Sequence, residues 1–98
     1  MKTVRFLQPA EQEMLDAAQY YELQASGLGL DFLDKIDSAV IDISQHPERW
    51  PIIQLNIRRR LVLRFPYSLL YRVDTEEAVV LAVAHQQRHP AYWIGRIL

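Results

Sequence analysis

The sequence has 98 residues, half of them apolar and 23% charged, with a formal net charge of -1; this suits one compact core spanning residues 1–98 and leaves too little chain for a second domain. There is no cysteine, which excludes disulfides and thiolate metal sites, and of the three histidines, His46, His85 and His89, the two that lie four residues apart, His85 and His89, fall at a strand end and beside a proline and not on a helix, so neither metal nor cofactor is expected. No apolar run approaches the roughly 20 residues of a membrane helix, and Met1-Lys2-Thr3-Val4-Arg5 lacks the apolar stretch of a secretory signal, so a cytoplasmic protein without membrane contact is expected.

Thr3 to Leu7 alternates branched or aromatic with polar residues and ends at Pro9, which reads as a short first strand. Pro9 then suits the first turn of a helix, where its missing N–H is harmless, and Glu11 and Glu13 suit the positive end of the helix dipole. Met14, Ala18, Tyr21 and Ala25, widened by Leu15, recur at helical spacing, so residues 9–25 are predicted as an amphipathic helix stopped by Ser26-Gly27. A second helix is predicted from Gly29 to Gln45, with Phe32, Ile36, Ala39, Val40 and Ile43 on its apolar stripe, ending at His46-Pro47. The short link between them predicts an antiparallel helical hairpin.

After the loop Glu48-Arg49-Trp50-Pro51 the periodicity changes from helical to alternating. In Ile57 to Phe65, alternation places Ile57, Leu61, Leu63 and Phe65 on one face and Arg58, Arg60 and Arg64 on the other. Arg59 falls on the apolar side and is expected near the strand's start, where its guanidinium can reach water. Pro66-Tyr67 is a turn, Ser68 to Val73 a third strand, Asp74 to Glu77 a polar turn, and Val79 to Gln86 a fourth strand. Its unbroken apolar run marks that strand as central and covered on both faces. The expected architecture is α+β in the order βααβββ, a helical hairpin covering one face of a four-stranded, mostly antiparallel sheet and leaving a cationic face open behind it.

The small net charge conceals an asymmetry: residues 1–56 carry four cations against nine carboxylates, and residues 57–98 carry seven arginines against three carboxylates. Arginine's planar fork matches phosphate and carboxylate, so the second half is read as facing an anionic partner.

Two stretches carry a family resemblance: Arg58-Arg59-Arg60-Leu61-Val62-Leu63-Arg64-Phe65-Pro66-Tyr67 with the following Tyr71, and Ala82-Val83-Ala84-His85-Gln86-Gln87-Arg88-His89-Pro90-Ala91-Tyr92-Trp93. With Tyr20-Tyr21-Glu22, Gly27-Leu28-Gly29 and His46-Pro47-Glu48-Arg49-Trp50-Pro51, nearly the whole chain resembles the RelE/ParE toxin superfamily of type II toxin-antitoxin systems. The resemblance implies growth arrest, a cognate antitoxin that folds onto the toxin in a hetero-oligomer, and a target that is either DNA gyrase or messenger RNA on the ribosome. RelE-like members cleave messenger RNA without metal, which needs proton transfer and cations around the phosphate. The residues for that chemistry would be His85, Arg88 and Tyr92, with Arg58, Arg60 and Arg64 binding phosphate. ParE-like members poison gyrase by binding; two helices of about 17 residues each and the absence of dense lysines from the arginine strand tilt the expectation slightly that way. A further alternative is a non-toxic member that binds its antitoxin and helps repress their promoter.

Overall fold

The computed structural model describes residues 1–97. Strand β1 (Thr3–Phe6) leads directly into helix α1 (Gln8–Gln24), whose second residue is the proline that the first turn tolerates. The buried face of α1 is Ala10, Ala17 and Ala18, with Met14 and Tyr21 half-buried beside them. Leu15, expected on that stripe, points outward at 47% exposure. These small side chains let the second helix approach closely. Helix α2 (Leu28–Gln45) buries Phe32, Ile36, Ala39 and Ile43 at spacings of three and four.

The connection between the helices explains two residues of the Gly27-Leu28-Gly29 motif. Gly27 has φ of 86°, in the left-handed region where a side chain would be strained. At Gly29 a Cβ would lie 2.6 Å from the Ala18 carbonyl oxygen, so only glycine permits this contact between the helices. The Glu22 carboxylate accepts hydrogen bonds from the backbone N–H groups of both Gly27 and Gly29, at 3.0 Å each, and so satisfies donors at the start of α2. Helix α2 ends at Gln45, one residue before His46-Pro47.

Five strands form the sheet among the described residues, in the order β1-β5-β4-β3-β2, where four were expected. The additional strand is β2 (Ile52–Gln54), a three-residue edge strand antiparallel to β3 (Ile57–Leu61). Its brevity, directly after Pro51, gives no alternation to read. β4 (Tyr67–Val73) and β5 (Glu77–His85) continue the antiparallel meander, and β1 lies parallel to β5. β5 is central and buried from Ala78 to Ala84, as its apolar run implies. The aromatic pair of Phe65-Pro66-Tyr67 packs against the hairpin: Phe32 lies with its ring centroid 5.2 Å from both Phe65 and Tyr67, and Tyr21 lies 4.8 Å from Phe65.

The phase of β3 differs from the expectation. Arg58 and Arg60 pair in register with Tyr71 and Leu69, which belong to the helix-side core, so both arginines face the helices and not the open side. Arg60 is buried: its Nη2 contacts the Asp42 carboxylate of α2 at 2.6 Å, its other terminal nitrogen donates to the Leu61 carbonyl, and the guanidinium lies 5.2 Å from the Trp50 ring centroid. Arg58 donates from Nη1 to the carbonyls of Glu48 and Trp50. Val62 is buried on the helix side, whereas Leu61 and Leu63 are exposed at 58% and 59%. The ion pair to Asp42 and the carbonyls of the preceding loop supply the partners that make inward arginines possible.

Removing Asp42 should therefore strand a buried cation. Asp42→Ala is expected to lower unfolding free energy by about 1–3 kcal/mol, read as a shift in the urea midpoint. Replacing both partners, as Asp42→Leu with Arg60→Met, is expected to recover most of that loss. An unchanged midpoint in the single variant would mean that water satisfies Arg60.

The reverse face of the sheet is not a bare cationic surface either. Ile57, Leu70, Leu81, Ala82 and Ala84 form a second cluster there around Trp93, which is fully buried. The segment after β5 folds back across this face, ending in a short 3-10 turn at Ile94–Arg96, with Tyr92, Ile94 and Ile97 packed beside the tryptophan.

Candidate functional site

Between β3 and this returning segment runs an open groove of about 450 Å³. Its floor is apolar, from Leu61, Leu70 and Trp93, and its rim carries Arg59, His85, Arg88 and His89, with no Asp or Glu among the described lining residues. The groove's own lining therefore favours an anionic or acidic occupant, while His85 and Arg88 also line a neighbouring depression that holds Glu13 and Asp16.

Arg59 is the β3 arginine on this side. It is the middle residue of β3 and is exposed because the strand's phase turns it to the open side with Ile57 and Leu61, not because it lies at the strand's start. Arg58, Arg60 and Arg64, expected together as a phosphate-binding face, are not brought together on the groove: the first two are bonded inside the helix side. Arg64 sits in the β3–β4 turn with φ of 69° and lines a separate depression with Asp31 and Lys35.

His85, Arg88 and Tyr92 do converge. His85 ends β5, its ring edge-on to Tyr67 at 5.0 Å, and its Nδ1 accepts the backbone N–H of Gln87 at 3.0 Å. In the neutral ring that bond places the proton on Nε2, so the nitrogen turned to other partners is a donor. Arg88 is exposed and its guanidinium carbon lies 3.9 Å from the centroid of the Tyr92 ring, a cation-π contact worth about 0.5–1 kcal/mol at such a site.

Tyr92 donates its hydroxyl proton to Glu13 Oε2 at 2.9 Å. Burial, and then the hydrogen bond to Glu13, push its hydroxyl pKa well above the usual tyrosine range. A phenol held in this way is a poor proton donor to substrate and has no free base form at neutral pH. Tyr71, by contrast, lies in the helix-side core, donates to the Pro47 carbonyl at 2.6 Å, and is pushed up to about 12 chiefly by burial.

Glu13 is the residue that sequence patterning does not single out. From α1 it accepts the Tyr92 hydroxyl, both terminal nitrogens of Arg96 at 2.8 and 3.0 Å, and the backbone N–H of Val83 at 3.1 Å. Arg96 also donates to the Leu81 carbonyl. β1 stops pairing at Val80, and beyond it the ion pair satisfies backbone groups of β5 that a longer first strand would have satisfied. The partners of Glu13 lie 70 to 83 residues away in sequence, so no local spacing announces its role.

A helical hairpin on one side of a mostly antiparallel sheet, with an arginine- and histidine-rimmed groove on the other, defines an α+β fold of the toxin-antitoxin type. The family described as "ParE toxin of type II toxin-antitoxin system, parDE" matches residues 4–90, and the chain belongs to it. The fold is similar to a solved structure titled "Chromosomal ParDE TA system from P. aeruginosa", with a TM-score of 0.71 and 20% identity over 87% of this chain and 96% of that one. No curated protein sequence matches the chain. Among the described residues no helix is long and apolar enough to cross a membrane.

Proposed function

We propose that this protein is the growth-arresting toxin of a type II pair, held inactive in the cytoplasm by a cognate antitoxin, and that it acts as one unit by binding DNA gyrase in the manner of a gyrase poison. The observation that carries the choice of target is the internal engagement of Arg58 and Arg60: two of the three arginines expected to clamp a scissile phosphate are bonded to Asp42 and to loop carbonyls, and the third, Arg64, lies away from the groove. Tyr92 is tied to Glu13 as well, which takes its hydroxyl out of proton transfer in the groove. The runner-up is ribosome-dependent messenger RNA cleavage, favoured by the presence of His85 and Arg88 on one rim.

The lining of the groove also suits the antitoxin. An acidic, amphipathic segment would set its apolar side on Leu61, Leu70 and Trp93 and its carboxylates against Arg59 and Arg88, and its ordering would cost entropy that the apolar contacts offset. Binding should weaken with salt and with charge removal at those two arginines. Equal affinity in high and low salt would leave only the apolar contribution.

Expression without antitoxin tests the toxic role. Growth arrest with inhibited supercoiling and gyrase-linked DNA breaks is expected; cleaved messenger RNA on ribosomes would select the nuclease reading, and unimpeded growth a non-toxic antitoxin-binding or co-repressor role. Arg88→Ala is expected to lower the unfolding free energy by no more than about 1 kcal/mol, the scale of its contact with Tyr92, while blunting arrest. Undiminished arrest by the folded variant would remove Arg88 from the site.

A further inference from the structure

Arg88 lies in the exposed stretch between β5 and Trp93, and its backbone N–H is bonded to the His85 carbonyl at 3.0 Å. Among the described residues no hydrogen bond or ion pair holds its guanidinium; the contact that does is the face of Tyr92. That ring is in turn fixed at its far end, where the hydroxyl meets Glu13, and it also carries the Arg96 guanidinium at 5.0 Å from its centroid. Glu13 already has a complete structural role through Arg96 and the Val83 N–H, since these occupy both of its oxygens. The bond to Tyr92 is additional to that role, and it connects the helical layer to the rim of the groove on the other side of the sheet.

We infer that Glu13 is a positioning residue for Arg88: it fixes Tyr92, whose ring carries the Arg88 guanidinium, and so sets the direction in which that cation meets the occupant of the groove. The inference deepens the proposed function and rests on its reading of Arg88 as a target-contacting side chain. An arginine on a free loop loses rotamer entropy when it binds; one already laid on a fixed ring loses less, and its fork is aimed before contact.

The test compares Glu13→Gln, Glu13→Ala, Tyr92→Phe and Arg88→Ala in the full chain, by the inducer dose needed for growth arrest and by NMR of the Arg88 side chain in the purified protein. In the parent, the Arg88 side-chain protons should be displaced upfield by the ring current of Tyr92. Tyr92→Phe keeps the ring and removes only the hydroxyl, so it should move those resonances toward free-arginine values. It should also raise the required dose about tenfold, the scale of one binding hot spot. Glu13→Gln, whose amide oxygen can still accept from Tyr92, should retain more of both signals than Glu13→Ala. Adding Tyr92→Phe to Arg88→Ala should cost nothing further.

Arg88 resonances that stay in place in Tyr92→Phe would overturn the inference. So would resonances that move while arrest holds at the parental dose, provided that Arg88→Ala weakens it. Parental arrest by Arg88→Ala has a different meaning: it overturns the reading of Arg88 as a target contact and, with it, the functional half of the inference. Should Glu13→Ala fail to fold, the glutamine and phenylalanine variants decide the matter alone.

Discussion

Ile36→Asp is expected to abolish cooperative folding. Ile36 is 2% exposed on α2, within the same buried cluster as Phe32, Ala39, Ile43, Leu69 and Tyr71. The substitution loses about 1.5–3 kcal/mol of apolar burial and places a carboxyl among hydrocarbon, at a further cost of several kcal/mol whether it ionises or takes up a proton. A domain of this size has roughly 5–15 kcal/mol in total, so the sum is comparable to all of it. Circular dichroism should show lost tertiary signal and no sigmoidal urea transition. A cooperative transition at the parental midpoint would mean that the helical layer is not packed on the sheet as described.

Trp93→Ala should produce the second largest effect, on the other side of the sheet. The indole is fully buried, donates from Nε1 to the Pro90 carbonyl at 2.9 Å, and is the largest member of the reverse-face cluster. Truncation is expected to destabilise by about 3–5 kcal/mol, the usual range for a buried large aromatic. Unlike Ile36→Asp, it should leave the helical signal in place, because α1 and α2 pack on the opposite face. It should also weaken growth arrest, since the segment that presents Arg88 and Tyr92 is anchored by this side chain. A loss below about 1 kcal/mol would mean that the cluster collapses around the gap, or that the segment contributes little.

The helices were legible in the sequence to within a residue, because α2 writes its buried face at regular spacings of three and four and because Pro9, Gly27 and Pro47 punctuate the chain where backbone chemistry requires. β5 was legible for the opposite reason: a run with no polar position can only be central. β3 was misread in phase. Alternation alone assigned the arginines to the open side, but a strand's inward face is decided by what waits there, and Asp42, contributed by α2, together with the carbonyls of Glu48 and Trp50, waited for Arg60 and Arg58. The convergence of His85, Arg88 and Tyr92 followed from their closeness in sequence. The place of Glu13 did not, since all its partners arrive from the far end of the chain. Acidic residues early in a helix have a sufficient local explanation in the helix dipole, and that explanation hid the second one.

The partnership of β1 with β5 has a bearing on the order in which the molecule is made. Thr3 lies in register with Glu77, and Arg5 forms its ion pair with Glu77. The helical hairpin can close as soon as it emerges from the ribosome, but the opening strand, although it touches α2 through Lys2 and Ser44, has no strand to pair with until the last strand is synthesised, several seconds later at roughly 5–20 residues per second. Until that moment the groove lacks the wall that the segment after β5 supplies. A nascent chain therefore cannot present the complete groove, and a partner that binds there has no finished site until synthesis is nearly over.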